Sequence, residues 1–123
     1  MSRVKASARN IGTAHNGLDD WYWQRLSAVV LLIMLPLPFV LLAGVYAGVL
    51  DQFDLLDLLD HFISRLLHTL LIFALIVHVY IGLKVILEDY VHTILRVPLI
   101  GLMLVLMSGF GIWWLALIWA LGG

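Results

Sequence analysis

Three long stretches without a charged side chain constrain this chain more than any other feature of its sequence. They cover residues 26–50, 66–83 and 97–123, which is 25, 18 and 27 residues. Because about 20 apolar residues in an α-helix cross the ~30 Å hydrocarbon core of a bilayer, each stretch is long enough to span a membrane. The sequence therefore predicts an all-α integral membrane protein, a single membrane domain over residues 1–123, with three transmembrane helices at about 21–50, 60–87 and 95–121.

The composition leaves little chain for any other kind of structure. Hydrophobic residues make up 63% of the sequence and charged residues 12%, against about 45–50% and about 25% in soluble domains. The segments outside the predicted spans are too short to bury a core, which excludes a soluble enzyme domain. A net charge of −1 favours no nucleic acid. The sequence contains no cysteine, so it cannot ligate an iron–sulfur cluster through thiolates.

Basic residues are distributed unevenly between the two predicted sides of the membrane. Four precede the first span, two flank the connection between the second and third spans, and none lies in residues 51–60. These six are Arg3, Lys5, Arg9, Arg25, Lys84 and Arg96. The positive-inside rule then places the N-terminus, with residues 1–20, inside (cytoplasmic) and the C-terminus outside, and Arg65 is the one exception. We expect a bacterial inner membrane; the alternative is a mitochondrial inner membrane, because Met1–Gly17 lacks acidic residues as a transit peptide does.

Prolines and acidic residues predict local features of the helices. Pro36 and Pro38 lie in the middle of the first span, where the missing amide donors should bend the helix. Pro98 suits the first turn of the third helix. Four acids recur every three residues between the first two spans and predict a short interfacial helix whose carboxylates face water, with a cation site as the alternative. They are Asp51, Asp54, Asp57 and Asp60.

Two histidines inside the second span are the candidate functional residues, because an ionisable side chain within the membrane is costly. Neutral imidazole is a good ligand for haem iron within a helix bundle. His68 and His78 are ten residues apart, about 15 Å along one helix, so they cannot bind the same iron. A haem here would need its second axial ligand from a partner chain. The alternative for either histidine is a hydrogen bond between helices, which we expect for His68, on the face it shares with His61.

His78 has the more suggestive neighbours. At 100° per residue, positions i, i+4, i+7 and i+11 share one face, and from His78 that face contains Gly82 and ends at Asp89. Gly82 would leave room for a flat macrocycle, and Tyr90 follows Asp89 at the inner membrane surface. Arg25 begins the first span at the same level, within reach of haem propionates. The alternatives are an ordinary interfacial aromatic for Tyr90 and a solvated acid for Asp89.

Two stretches of the sequence resemble the small D-type membrane-anchor subunit of succinate:quinone oxidoreductase, respiratory complex II. The first is Gly17–Trp21 continuing through Gln24–Val29, which is similar to the family's entry into its first helix. The second is His78–Gly82 continuing to Glu88–His92, which resembles the family's haem-ligand helix and the Asp-Tyr motif of its quinone site. One position departs from the family pattern. Some members carry a histidine before the first helix, where this chain has Asp19 and Asp20, with His15 close by.

The resemblance implies specific roles for four residues. His78 would ligate a b-type haem shared with a sister cytochrome b-type anchor subunit, which would supply the other axial ligand, and Arg25 would lie near the haem propionates. Tyr90 would hydrogen-bond a carbonyl oxygen of ubiquinone, and Asp89 would support it.

The resemblance also implies a function shared with partner subunits. The chain would dock the flavoprotein and iron–sulfur subunits of a succinate dehydrogenase to the membrane, in electron transfer from succinate to ubiquinone that links the tricarboxylic acid cycle to the respiratory chain. FAD and the iron–sulfur clusters would belong to those partners, and the chain would have no activity alone. The alternatives are an anchor of fumarate reductase and a structural or assembly membrane protein without a cofactor.

Overall fold

The computed structural model describes the backbone of residues 2–120 and the side chains of residues 17–120. Within that part of the chain there are five α-helices: α1 (Ser2–Met34), α2 (Pro36–Tyr46), α3 (Gln52–Asp60), α4 (Phe62–Tyr90) and α5 (Arg96–Ala120). His15 and the basic residues Arg3, Lys5 and Arg9 lie outside the described side chains.

Three segments are long and apolar enough to cross a membrane. They are Gly17–Tyr46, which combines α1 and α2, Phe62–Tyr90, which is α4, and Arg96–Ala120, which is α5. The prediction of an all-α protein with three membrane-spanning helices is confirmed.

The first span is interrupted where the prolines predict it. α1 ends at Met34 and α2 begins at Pro36, with Leu35 between them. The Leu35 amide still donates to the Leu31 carbonyl oxygen over 2.8 Å. Pro36 and Pro38 have no amide hydrogen to continue this ladder, so the helical hydrogen bonding breaks at this point.

The acidic segment forms a short helix, as predicted, and this helix is also capped at its N-terminus. Asp51 is the N-cap of α3, and its Oδ1 accepts hydrogen bonds from the amides of Phe53 (2.8 Å) and Asp54 (2.9 Å). The Asp54 carboxylate accepts in return from the Asp51 amide at 3.3 Å, which completes a capping box. All four acids of the segment are exposed. Gly48, with a φ of +71°, allows the tight turn that precedes this helix.

α4 is the central helix of the bundle and packs against both α1 and α5. On the α1 side, Leu71 and Ala74 form a small buried cluster with Leu31. On the α5 side, Gly111 lies so close to α4 that an added Cβ would come within 2.5 Å of Ile76 Cδ1. A small residue at this position therefore lets the two helices approach closely.

A cluster of side chains joins α3, α4 and α5 at the end of the bundle that carries α3, which we call the α3 end. Arg65 forms an ion pair with Asp60, and its guanidinium lies 5.8 Å from the centre of the Trp119 ring. The indole of Trp119 donates to Thr69 Oγ1 at 3.1 Å, and the Thr69 hydroxyl donates to the Arg65 carbonyl oxygen at 2.8 Å. The α3 end is thus held by polar contacts as well as by packing.

Most of the surface of the spans faces outward. In the most apolar stretch of each span, 6% of the residues are buried in the first span, 22% in α4 and 11% in α5. This surface is available to lipid and to other membrane helices.

Candidate functional site

A groove of about 680 Å³ opens between α1 and α4, at the end of the bundle opposite α3. α1 lines it with Gly17, Asp20, Trp21, Gln24, Arg25 and Ala28. α4 lines it with His78, Ile81, Gly82, Val85 and Glu88. On both helices the steps are three and four residues, the spacing along which packed helices meet. Cofactor and ligand sites commonly measure about 300–1,000 Å³, so the groove has room for one.

His78 lines the end of this groove that is farthest from Gly17 and Glu88. The ring also lines a second, apolar cavity of about 370 Å³ that continues along the first span to Pro36 and Phe39. His78 Nδ1 is 3.2 Å from the hydroxyl oxygen of Ser27, which is buried in α1 with an exposed fraction of 4%. With Nδ1 engaged by α1, Nε2 is the ring nitrogen available to a ligand.

Gly82 leaves room for a Cβ one turn from His78. If a Cβ is added at Gly82, the one heavy atom within 4 Å outside the neighbouring backbone is Gln24 Nε2, at 3.4 Å. One methyl group would therefore fit at this position, and the room for a flat macrocycle stays a prediction. Gln24 Oε1 is buried and accepts no hydrogen bond from any residue in the described range 17–120.

Charged residues surround the opening of the groove near residues 17–20. Lys84 Nζ donates to Asp20 Oδ2 at 2.8 Å, which joins α4 to α1. Arg25 lies over the Trp21 ring at 5.4 Å and has no carboxylate partner among the described side chains. Arg25 is thus the cation at the groove that an anionic group could engage.

Asp89 and Tyr90 lie next to the groove but do not line it. Both are exposed at the end of α4, Tyr90 with 83% of its surface accessible. Glu88 is the last residue of α4 that lines the groove, and its carboxylate pairs with Arg96 at 3.4 Å. The structure therefore brings together His78 and Arg25 of the four predicted site residues, and it places the other two at the adjacent surface.

Comparison with known proteins covers almost the whole chain. The sequence matches the family described as succinate dehydrogenase/fumarate reductase transmembrane subunit over residues 1–118. This chain belongs to that family. It is also similar to the succinate dehydrogenase hydrophobic membrane anchor subunit of Coxiella burnetii (strain RSA 493 / Nine Mile phase I), with 28% identity over 118 residues that cover 87% of this chain and 92% of that protein.

The family and the three candidate spans show that the chain is a multi-pass membrane subunit of an oxidoreductase complex, which contains other subunits. The resemblance found in the sequence is confirmed at this level.

The other intramembrane histidine of this transmembrane subunit lies at a different place. His68 is 4% exposed, and its Nδ1 donates to the Ser64 carbonyl oxygen at 2.8 Å. It lines a separate cavity of about 400 Å³ at the α3 end, together with Trp114 of α5. Its hydrogen bond stays within α4, whereas the sequence led us to expect a polar contact with another helix.

Ser27, Gln24 and Asp20 are groove or contact residues to which the sequence assigned no role. Gln24 immediately precedes Arg25, and Ser27 follows Arg25 by two residues. Their positions at steps of three and four from Asp20 are the signal that could have placed them on the α4-facing side of α1. Asp20 forms the ion pair with Lys84.

Proposed function

We propose that this transmembrane subunit anchors a succinate dehydrogenase and holds a b-type haem at His78, between α1 and α4, together with a sister cytochrome b-type anchor subunit. The observation that carries the proposal is the environment of His78. One of its ring nitrogens is engaged by Ser27, and the ring lines a groove that has no side chain at Gly82 and a cation at Arg25.

The residues of the groove suit such a group. Imidazole Nε2 carries the lone pair that an axial position requires. Ala28, Ile81 and Val85 provide apolar walls, and the Arg25 guanidinium would balance the charge of a propionate. When bound, haem supplies a one-electron redox centre. His78 is the one histidine of the described range that lines this groove, so we expect the sister subunit to supply a further ligand to the iron.

A quinone site completed by the partner subunits would adjoin this groove. The Tyr90 hydroxyl is exposed at the end of α4 and free to donate to a quinone carbonyl oxygen, and Asp89 beside it can orient that hydroxyl or relay protons as ubiquinone becomes ubiquinol. The high exposure of both side chains supports a site that closes when partner subunits bind.

Succinate oxidation would take place in the flavoprotein subunit, and the iron–sulfur subunit would deliver electrons to the membrane surface at Tyr90. On the positive-inside rule this surface is cytoplasmic, in a bacterial inner membrane. The family description also includes fumarate reductase. The same anchor in a fumarate reductase is therefore the second candidate, and the ratio of succinate oxidation to fumarate reduction by the purified complex distinguishes the two.

The haem proposal is tested by the reduced-minus-oxidised spectrum of the complex purified through this subunit. We expect a b-type α-band that is lost in His78→Ala. The band should be kept in the control His68→Gln, which replaces the other intramembrane histidine. The subunit ratio of each preparation controls for assembly. A wild-type complex without the band, or a band that survives in His78→Ala, would contradict the proposal and favour a structural or assembly protein without a cofactor.

The quinone proposal is tested by two activities of the same preparation. Tyr90→Phe should lower succinate-to-quinone electron transfer much more than succinate-to-dye electron transfer, because the phenyl ring keeps the packing and loses the hydrogen-bond donor. Tyr46→Phe, at the far end of the first span, is the control and should change neither activity. Equal losses of both activities in Tyr90→Phe would argue against a quinone contact.

A further inference from the structure

We propose that Ser27 is a positioning residue for His78. It fixes the tautomer of the imidazole, so that Nδ1 carries the proton and Nε2 carries the lone pair. This inference rests on the haem function proposed above, because the lone pair on Nε2 is the one that would bind the iron.

The assignment follows from the hydrogen-bond partners of the Ser27 hydroxyl. Its oxygen lies 3.0 Å from the Gln24 carbonyl oxygen and 3.2 Å from His78 Nδ1. A carbonyl oxygen can only accept, so the single hydroxyl proton must lie between Ser27 and Gln24 for that short contact to be favourable. The serine oxygen is then the acceptor for His78, and Nδ1–H is the donor.

The opposite tautomer is disfavoured by the same geometry. If the serine donated its proton to Nδ1, two oxygens that both present lone pairs would face each other at 3.0 Å. Ser27 is 4% exposed, so no bulk water reaches the pair to relieve that repulsion. The two hydrogen bonds, from His78 to Ser27 and from Ser27 to the Gln24 carbonyl oxygen, each have one donor and one acceptor only when they run in this direction.

This contact also fixes the orientation of the ring relative to α1. Ser27 and His78 belong to different spans and are 51 residues apart in sequence. The hydrogen bond therefore ties a side chain of α4 to the opposite wall of the groove. Histidines that bind metals commonly donate their second N–H to such a partner, and losing it typically costs about 10- to 100-fold in metal affinity.

The test uses the purified complex with four variants: Ser27→Ala, Ser27→Cys, Ser27→Thr and the control Ser108→Ala. Ser108 is a serine of α5 that is exposed on the surface of its span. The measurements are the rate at which haem transfers to an excess of a haem-scavenging apoprotein, and the midpoint potential of the haem in a redox titration.

For Ser27→Ala we expect haem transfer to be about 10- to 100-fold faster than in the wild type. We also expect a more positive midpoint potential, because an imidazole that no longer donates from Nδ1 is a less basic ligand and stabilises ferric iron less. Ser27→Thr should restore both properties, and Ser108→Ala should match the wild type. Ser27→Cys nearly preserves the side-chain volume but hydrogen-bonds weakly, so it should shift the potential in the same direction even if the alanine variant assembles poorly.

The outcomes separate this inference from the haem function. A wild-type complex without haem, or haem that is retained in His78→Ala, overturns the haem function and this inference with it. Haem that depends on His78 but has wild-type transfer rate and potential in Ser27→Ala and Ser27→Cys overturns the positioning role alone. If Ser27→Thr behaves like Ser27→Ala, the hydroxyl is not the group that acts, and the inference is again wrong.

Discussion

Substitutions at Gly82 can show what occupies the groove, because the chain itself leaves this position unobstructed. An added Cβ would make an ordinary van der Waals contact of 3.4 Å with Gln24 Nε2. Alanine is also favoured over glycine within a helix, by about 1 kcal/mol. In the isolated subunit, Gly82→Ala should therefore leave the helix intact or stabilise it slightly.

A haem against His78 changes this expectation. Placing an extra carbon in a packed interface costs about 1–3 kcal/mol. At about 1.4 kcal/mol per factor of ten, this corresponds to roughly 5- to 150-fold weaker haem binding in Gly82→Ala. Gly82→Leu extends three carbons further and should remove the haem completely while the subunit still inserts into the membrane.

The measurement is haem per mole of subunit in the purified complex, followed through a dilution series. Gly101→Leu is the matched control, because an added Cβ there meets no atom within 4 Å. Full haem content in Gly82→Leu would refute the reasoning. Equal losses in Gly82→Leu and Gly101→Leu would show that bulk anywhere in the spans disturbs assembly.

Three further predictions concern an ion pair, a hydrogen bond and the membrane topology. A double-mutant cycle with Asp20→Asn and Lys84→Met should give a coupling of about 0.2–1 kcal/mol in detergent unfolding, since both side chains remain partly accessible; a coupling several times larger would contradict this. Trp119→Phe should keep an aromatic ring against Arg65 of α4 and lose the hydrogen bond to Thr69. The α3 end should then unfold about 0.5–1.5 kcal/mol more easily, as measured by hydrogen exchange. Unchanged exchange would mean that the hydrogen bond contributes nothing. Cysteines introduced as Asp54→Cys and His92→Cys should react with a membrane-impermeant reagent from opposite sides of the membrane, and labelling from one side would contradict the three-span topology.

The sequence predicted those parts of the fold that local chemistry determines. Charge-free stretches identified the three spans, because hydrocarbon excludes charged side chains wherever they lie in the chain. Pro36 placed the interruption of the first span, since a missing amide hydrogen acts on its own helix. Asp51 and Asp54 form a capping box within four residues, so the acidic helix was also visible from sequence.

The site was predicted only in part, because it depends on how two helices are rotated against each other. The contact between Ser27 and His78 joins residues far apart in sequence, and no local pattern indicates it. The helical face drawn from His78 led to Asp89, whereas the groove follows α4 to Glu88. A pattern within one helix does not show from which side the neighbouring helix packs, so the face drawn from His78 was displaced from the one that lines the groove.

The small buried fraction of the spans affects how stable the subunit is in the cell before it joins its partners. With 6–22% of each span's most apolar stretch buried, the isolated chain has little interior of its own. Gln24 and His78 line a groove between two of its helices, and the buried Gln24 Oε1 accepts no hydrogen bond within the described range, which is costly inside a membrane. An unassembled copy is thus marked by uncovered apolar helix surfaces and by an unsatisfied polar atom, the kind of signal that membrane proteases and insertion chaperones can recognise. We expect the cellular level of this chain to follow the supply of its partner rather than its own rate of synthesis.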